Sequence, residues 1–244
     1  EGVLRAIADR LDHDTLSITG ETLGERLAKP LSDPIDHAII RTAQDPIDPL
    51  GGLIALKGTL APQGAILKRA AASRHLLEHE GRAVVFSSLD DLSNRIDDPD
   101  LDVCGDDVLV LQNAGPASAS AMPEAGYLPI PKKLAAQGIK DMVRISDARM
   151  SGTAFGTIVL HITPESAVGG PLALVRTGDR IRLSAQDKSI DLLVGDAEMA
   201  RRRAAFVPSA PPAERGYSKL YQKAILPATR GCDFDFLTKS GAGD

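Results

Sequence analysis

A β-rich α/β barrel with short flanking helices is the fold predicted for this 244-residue chain, and three observations predict it. Apolar runs of strand length recur between Leu53 and Ile162, most of them bounded by Gly, Asp or Ser. Two further runs, Arg180–Ser184 and Ser189–Leu192, alternate with period two around Gln186-Asp187 and read as an antiparallel hairpin with one wet face. Helical patterns, by contrast, are few and short, which argues against a doubly wound parallel sheet.

The elements follow in order. Val3-Leu4, Ile7-Ala8 and Leu11 have helical spacing and predict one short amphipathic helix. Leu16–Gly20 reads as a brief extended segment, and Thr22-Leu23-Gly24-Glu25 has the capping-box pattern that opens a second helix. From Lys29 to Leu50, Pro30, Pro34, Pro46 and Pro49 interrupt any periodicity and predict a linker or an arm laid over a neighbouring surface. Strands are predicted at Leu53–Leu56, Ala83–Phe86, Val108–Leu111, Met142–Ile145 and Ile158–Ile162, with Leu172–Val175 continuing the series. Helices are predicted over Ser73–Glu80 with Gly81 as its terminating glycine, over Ser88–Ile96, and over Pro131–Gln137 with Pro131 as first helical residue. Asp196–Arg203 is predicted as a helix capped by Asp196 and ending in three arginines, cations that suit a helix C-terminus. Residues 204–216 read as a second linker and Tyr217–Leu226 as a last helix. The chain therefore divides into a helical arm and linker (1–50), a barrel-like half-domain (51–203) and a C-terminal linker and helix (204–244).

Composition narrows the function. The formal charge is −5, with 28 Lys and Arg against 33 Asp and Glu, so the electrostatic footprint of a nucleic-acid binder is missing. No apolar run approaches the length of a transmembrane helix, and no basic, apolar leader opens the chain. The chain begins Glu1-Gly2-Val3 without an initiator Met, which predicts an excised or processed piece of a longer polypeptide. Cys104 and Cys232 are the only cysteines; they cannot by themselves complete a four-cysteine metal site, and they fit a reducing cytoplasm.

Phosphate-binding loops, zinc-protease signatures and the nucleophile elbow are absent from the sequence. His75 and His79 have metal-ligand spacing on the predicted helix, but with no third ligand nearby they read as a solvated helix face. Cys104, beside Gly105-Asp106, reads as a small buried residue. Chemistry concentrates instead in three loops that follow consecutive strands, at Gly115–Gly126, Asp147–Thr153 and Thr163–Pro171. Such loops converge at one end of a barrel, where sites are built on a rigid scaffold. Ser151, with Gly152 beside it allowing close backbone approach, reads as a nucleophile, as a base if a metal centre takes its proton, or as a turn residue. Glu124 reads as a site carboxylate or as a solvated loop residue.

Five ordered segments carry a resemblance. Gly58–Ala65, Gln112–Pro116, Met122–Glu124, Asp147–Thr153 and His161–Pro171 resemble the C-terminal part of the dihydroxy-acid/6-phosphogluconate dehydratases. Ala148–Gly156 and Gly231–Leu237 look most like the sugar-acid branch that dehydrates arabonate and xylonate. The resemblance implies a barrel-like swivelling domain, similar to that of aconitases, which closes over a larger N-terminal domain. It implies an iron–sulfur cluster whose ligands are not in this chain, and a magnesium ion to which this half gives Glu124. It further implies that Ser151, as an alkoxide, removes the substrate C2 proton and that Thr153 contacts the substrate carboxylate. Magnesium would stabilise the enolate and a cluster iron would help the C3 hydroxyl leave, giving a 2-keto-3-deoxy acid. The family's Asn in the first motif is Thr59 here, and Ala117–Ala121 lacks the usual glycines. The expected partners are a small sugar acid, the N-terminal domain of the same enzyme and further copies in a homo-oligomer, and the isolated chain is expected to be inactive. Two rival expectations are a non-catalytic barrel module that binds a small acid or a partner chain, and, by fold analogy alone, an aconitase-like isomerase half.

Overall fold

The structure, a computed structural model, describes residues 1–118, 128–151, 154–208 and 213–238, and the chain forms two compact units, Glu1–Gly51 and Gly52–Asp244. In the first unit the single predicted helix is two pieces, α1 (Gly2–Ala6) and a 3₁₀ turn (Ala8–Arg10), because Ile7 leaves helical geometry at φ −123°. No side chain caps either piece, so nothing local extends them. The capping box forms as predicted and opens α2 (Leu23–Ala28): Glu25 N–H donates to Thr22 Oγ1 at 3.1 Å and Thr22 N–H to Glu25 Oε2 at 2.8 Å. The extended segment before it shrinks to one bridge between Leu16 and Thr22. From residue 29 to 51 there is neither helix nor strand; Asp36 and Asp48 hold their loops by accepting from N–H groups two residues on.

The second unit is built on one eight-stranded sheet. Its strands are β1 (Ile54–Leu56), β2 (Gly64–Leu67), β3 (Glu78–Phe86), β4 (Val108–Leu111), β5 (Arg144–Ser146), β6 (Ile158–Thr163), β7 (Arg180–Ser184) and β8 (Ser189–Leu192). The order is β1-β2-β6-β5-β4-β3-β7-β8, with β3 to β6 mutually parallel and both flanks antiparallel. The two outer strands are then drawn together. Lys57, just after β1, bridges to Ser189 of β8; its N–H donates to Lys188 O at 2.9 Å and its carbonyl accepts from Ile190 N–H at 3.1 Å. The result is the predicted barrel, nearly closed.

Period-two alternation explains the packing on both sides of the wall. In β4 all four residues are buried: Val108 and Val110 join the interior cluster with Ala83, Ile145, Val159, Ile181 and Ile190. Leu109 and Leu111 join an outer cluster with Phe86, Met142 and Ile158, covered by Leu92 of α3 (Leu89–Arg95) and Leu134 of α4 (Lys132–Ala136). Ser88 caps α3 by accepting from Asp91 N–H at 3.1 Å.

Several local expectations yield to the sheet. The helix predicted over Ser73–Glu80 is a 3₁₀ turn (Arg74–Leu76) followed by the start of β3, because Glu78–Arg82 pairs residue for residue with β7. Gly81 lies inside that strand, where a Cβ would stand 2.4 Å from the Asp106 carbonyl oxygen, so it permits close packing and ends no helix. His75 and His79 consequently share no helix face, and His79 Nε2 lies 2.9 Å from the Asp106 carbonyl. Cys104 is exposed, its N–H held by Asp107 at 2.8 Å. Leu172–Val175 is no strand but a 3₁₀ turn (Pro171–Leu174) capped by Val175, and the Leu172 and Val175 carbonyls accept from Gln112 Nε2 at 2.7 and 3.0 Å. Pro131, predicted as the first helical residue, is instead the N-cap of α4, which starts one position later. Gly195, with no side-chain bond, caps α5 (Asp196–Ala204), so Asp196 acts only as first-turn charge. A last helix, α6 (Gly216–Ala224), follows. Among the described residues no helix is long and apolar enough to cross a membrane.

Candidate active site

Four neighbouring parallel strands place their carboxyl ends at one rim of the barrel, and the three polar loops all leave from that rim: 112–118 after β4, 147–157 after β5 and 164–170 after β6. Two buried carboxylates tie these loops together. Asp147, at 1% exposure, accepts from Ala114 N–H of the first loop at 3.1 Å and from Ser166 N–H of the third at 2.7 Å. Glu165, also buried, accepts from Ala117 N–H at 2.8 Å. Gly115 makes that approach possible, since a Cβ there would lie 2.4 Å from Glu165 Oε2. Burial pushes the Glu165 carboxyl up to about 7, opposed by the Ala117 N–H and reinforced by Asp147. Burial likewise raises Asp147, although the N–H groups of Ser166 and Ala114 oppose it. Neither residue was assigned a role from the sequence. The signal lay in the motifs themselves, each acid being the first or second residue after a strand end.

A fully buried cation secures the rim from beneath. Arg144 donates from Nη2 to Asp141 Oδ1 at 3.1 Å and to the Phe155 carbonyl at 2.8 Å, and from Nη1 to the Leu128 carbonyl at 2.9 Å. Asp141 also accepts from Thr157 N–H and Oγ1 and from Ser73 N–H. Burial favours the neutral acid, but these Thr157 and Ser73 donors outweigh it and hold the Asp141 carboxyl below its usual range. Gly156 fits here at φ +110° because a Cβ would stand 1.9 Å from Arg144 Nη2. Arg144 and Asp141 thus fix the far end of the 147–157 loop.

Ser151 lies on that loop and is exposed, and its carbonyl accepts from Ala154 N–H at 2.9 Å. Glu124 and Thr153 lie outside the described residues. The described chain on either side of the Glu124 segment is anchored: Ser118 and Leu128 are buried, with Gln222 Nε2 donating to the Ser118 carbonyl at 3.1 Å and Arg144 to that of Leu128. No group of three His, Cys, Asp or Glu among the described residues could hold a metal ion. The described residues therefore do not by themselves form a site for magnesium or for an iron–sulfur cluster.

Arg149 of the same loop lines a cavity of about 450 Å³, whose wall also includes Lys57, His161, Thr163, Thr229 and Cys232. Burial and the Arg149 charge lower the His161 pKa, so its ring is neutral at neutral pH; burial raises the Cys232 thiol, which stays protonated.

The chain is similar to known proteins over most of its length. Residues 38–232 match the model of the dihydroxy-acid/6-phosphogluconate dehydratase C-terminal domain. The chain is 48% identical over 244 residues to a putative dehydratase of Rhizobium meliloti (strain 1021), an alignment covering 99% of this chain and 42% of the relative. It is 48% identical over 242 residues to the 6-deoxy-6-sulfo-D-gluconate dehydratase of Pseudomonas putida, covering 97% of this chain and 42% of the relative. It is 44% identical over 230 residues to the L-arabinonate dehydratase of Rhizobium leguminosarum bv. trifolii (strain WSM2304), covering 94% and 39% respectively. The chain therefore spans about two fifths of the length of the curated relatives it matches.

Proposed function

The chain belongs to the dihydroxy-acid/6-phosphogluconate dehydratase family, matching its C-terminal domain, and on that premise we propose that it is the C-terminal half of a hydro-lyase that converts a sugar acid into its 2-keto-3-deoxy acid. The observation that carries this reading is the convergence of the three family motifs on one barrel rim, locked by Asp147 and Glu165, with Ser151 exposed at its edge. In the complete enzyme a magnesium ion and an iron–sulfur cluster supply electrophilic chemistry from ligands that lie mainly outside this chain, Glu124 being this half's contribution.

This chain's own part is proton transfer and orientation. The C2–H of a 2,3-dihydroxy acid is weakly acidic, and a serine hydroxyl is a poor base, so Ser151 acts as an alkoxide and takes the C2 proton. Thr153 contacts the substrate carboxylate and fixes which face of C2 is presented. The loop stays in place because Arg144 and Asp141 hold its far end and Asp147 its near end, which limits the entropy lost on orienting the substrate. The domain works against an N-terminal domain of the same polypeptide, within a homo-oligomer in the cytoplasm.

Ser151→Ala in the complete enzyme is the direct test. Turnover falls at least about a thousandfold while the melting temperature is kept, as for loss of an essential base or nucleophile; unchanged turnover leaves a non-catalytic barrel module as the reading. The isolated 244-residue chain shows no dehydration of pentonates or hexonates, and turnover without an added partner refutes the assignment of the cofactor ligands to another part of the enzyme.

A further inference from the structure

The cavity beside the Ser151 loop has a lining that the chemistry at C2 and C3 does not use. Arg149, two residues before Ser151, forms part of its wall, so the cavity and the proposed base share one loop. Among the described residues its lining includes no carboxylate. What it offers is two cations, Lys57 and Arg149, together with uncharged polar groups: the Thr229 hydroxyl, the neutral His161 ring, the Cys232 thiol, and the Thr163 hydroxyl, which donates to the His161 carbonyl at 2.8 Å and so can only accept from a ligand. Ala55 and Ile66, paired across β1 and β2, add an apolar patch.

The backbone points the same way. Among the described residues four that are not glycine have left-handed backbone, and two of them, His161 at φ 56° and Cys232 at φ 52°, line this one cavity. Such conformations cost on the order of 1 kcal/mol or more and cluster where a side chain or carbonyl must be aimed. A polyhydroxylated carbon chain suits this wall, since each hydroxyl both donates and accepts and the C–H edges pack on alanine and isoleucine. The volume lies within the range of small-molecule sites and exceeds what a methyl or isopropyl tail would fill.

We infer that this cavity is the subsite for the hydroxylated tail of the substrate, carbon 4 and beyond, and that it makes the enzyme select polyhydroxy acids over 2,3-dihydroxy acids with aliphatic tails. The inference rests on the dehydratase reading above. Thr229 and Ala228 stand on the turn that closes the cavity, and Thr229 is exposed, so bulk can be added there with little strain.

The test uses the complete enzyme. The ratio of kcat/KM for a six-carbon aldonate to that for 2,3-dihydroxybutanoate is measured before and after Ala228→Phe and, separately, Thr229→Phe. Filling the cavity lowers this ratio at least about fivefold, within the range that loss of substrate hydrogen bonds and pocket contacts produces, and the change resides in KM. Calorimetric titration with the aldonate shows its Kd rising by a similar factor. A ratio changed less than fivefold in both variants, with the melting temperature kept, overturns the subsite. An unmodified enzyme that dehydrates neither acid overturns the dehydratase reading itself, and the two failures are thereby told apart.

Discussion

Glu165→Gln isolates one ionisation on which the stability of the rim depends. The carboxyl is buried against Gly115 and Ala117, beside Asp147, and its pKa is pushed up to about 7 from an ordinary 4.5. Between those two values the folded chain holds a proton that the unfolded chain has released, so stability is fully present below pH 4.5 and falls as pH rises through about 7. A displacement of that size corresponds to about 3 kcal/mol, an upper bound on what ionising Glu165 costs the fold. Glutamine keeps an oxygen for the Ala117 N–H and removes the ionisation. The variant is therefore more stable than the parent at pH 8 by up to about 3 kcal/mol and loses that advantage near pH 5. Urea unfolding of both proteins at the two pH values, followed by far-ultraviolet circular dichroism, reads the difference directly. A gap between the proteins that stays constant within about 0.5 kcal/mol from pH 5 to pH 8 refutes the burial argument.

Other outcomes follow from the same geometry. Arg144→Met leaves Asp141 buried without its cation and frees the Leu128 and Phe155 carbonyls, costing about 3–5 kcal/mol; a thermal melt should fall by on the order of 10 °C, and a shift under about 2 °C contradicts the role given to the guanidinium. Thr22→Ala removes one half of the capping box and costs about 1 kcal/mol, seen as faster amide exchange confined to α2 while the barrel strands keep their protection. Protection lost across the barrel as well would show that the cap does more than close its own helix.

What could be read along the chain was whatever a short window encodes. The capping box at Thr22, the Ser88 cap, the Arg180–Leu192 hairpin and the apolar runs of β4 and β6 needed only local chemistry, and so did the order of the polar loops that follow the strands. The helix predicted at Ser73–Glu80 failed because its spacing was genuine but β7 offered a ladder to Glu78–Arg82, and hydrogen bonds from a strand distant in sequence outweigh local periodicity. The strand β2 was missed for the converse reason: Gly64–Leu67 is four residues long and becomes a strand only between β1 and β6. Ser151 stood out by its motif. Asp147, Glu165 and Arg144 did not, because the worth of a buried charge lies in which distant N–H and carbonyl groups meet it, and the parallel pairing of β4, β5 and β6 decides that. The cavity between the Arg149 loop and the Ala228–Cys232 turn belongs to the same class: its walls come from segments far apart in the chain, so only folding gives it a shape.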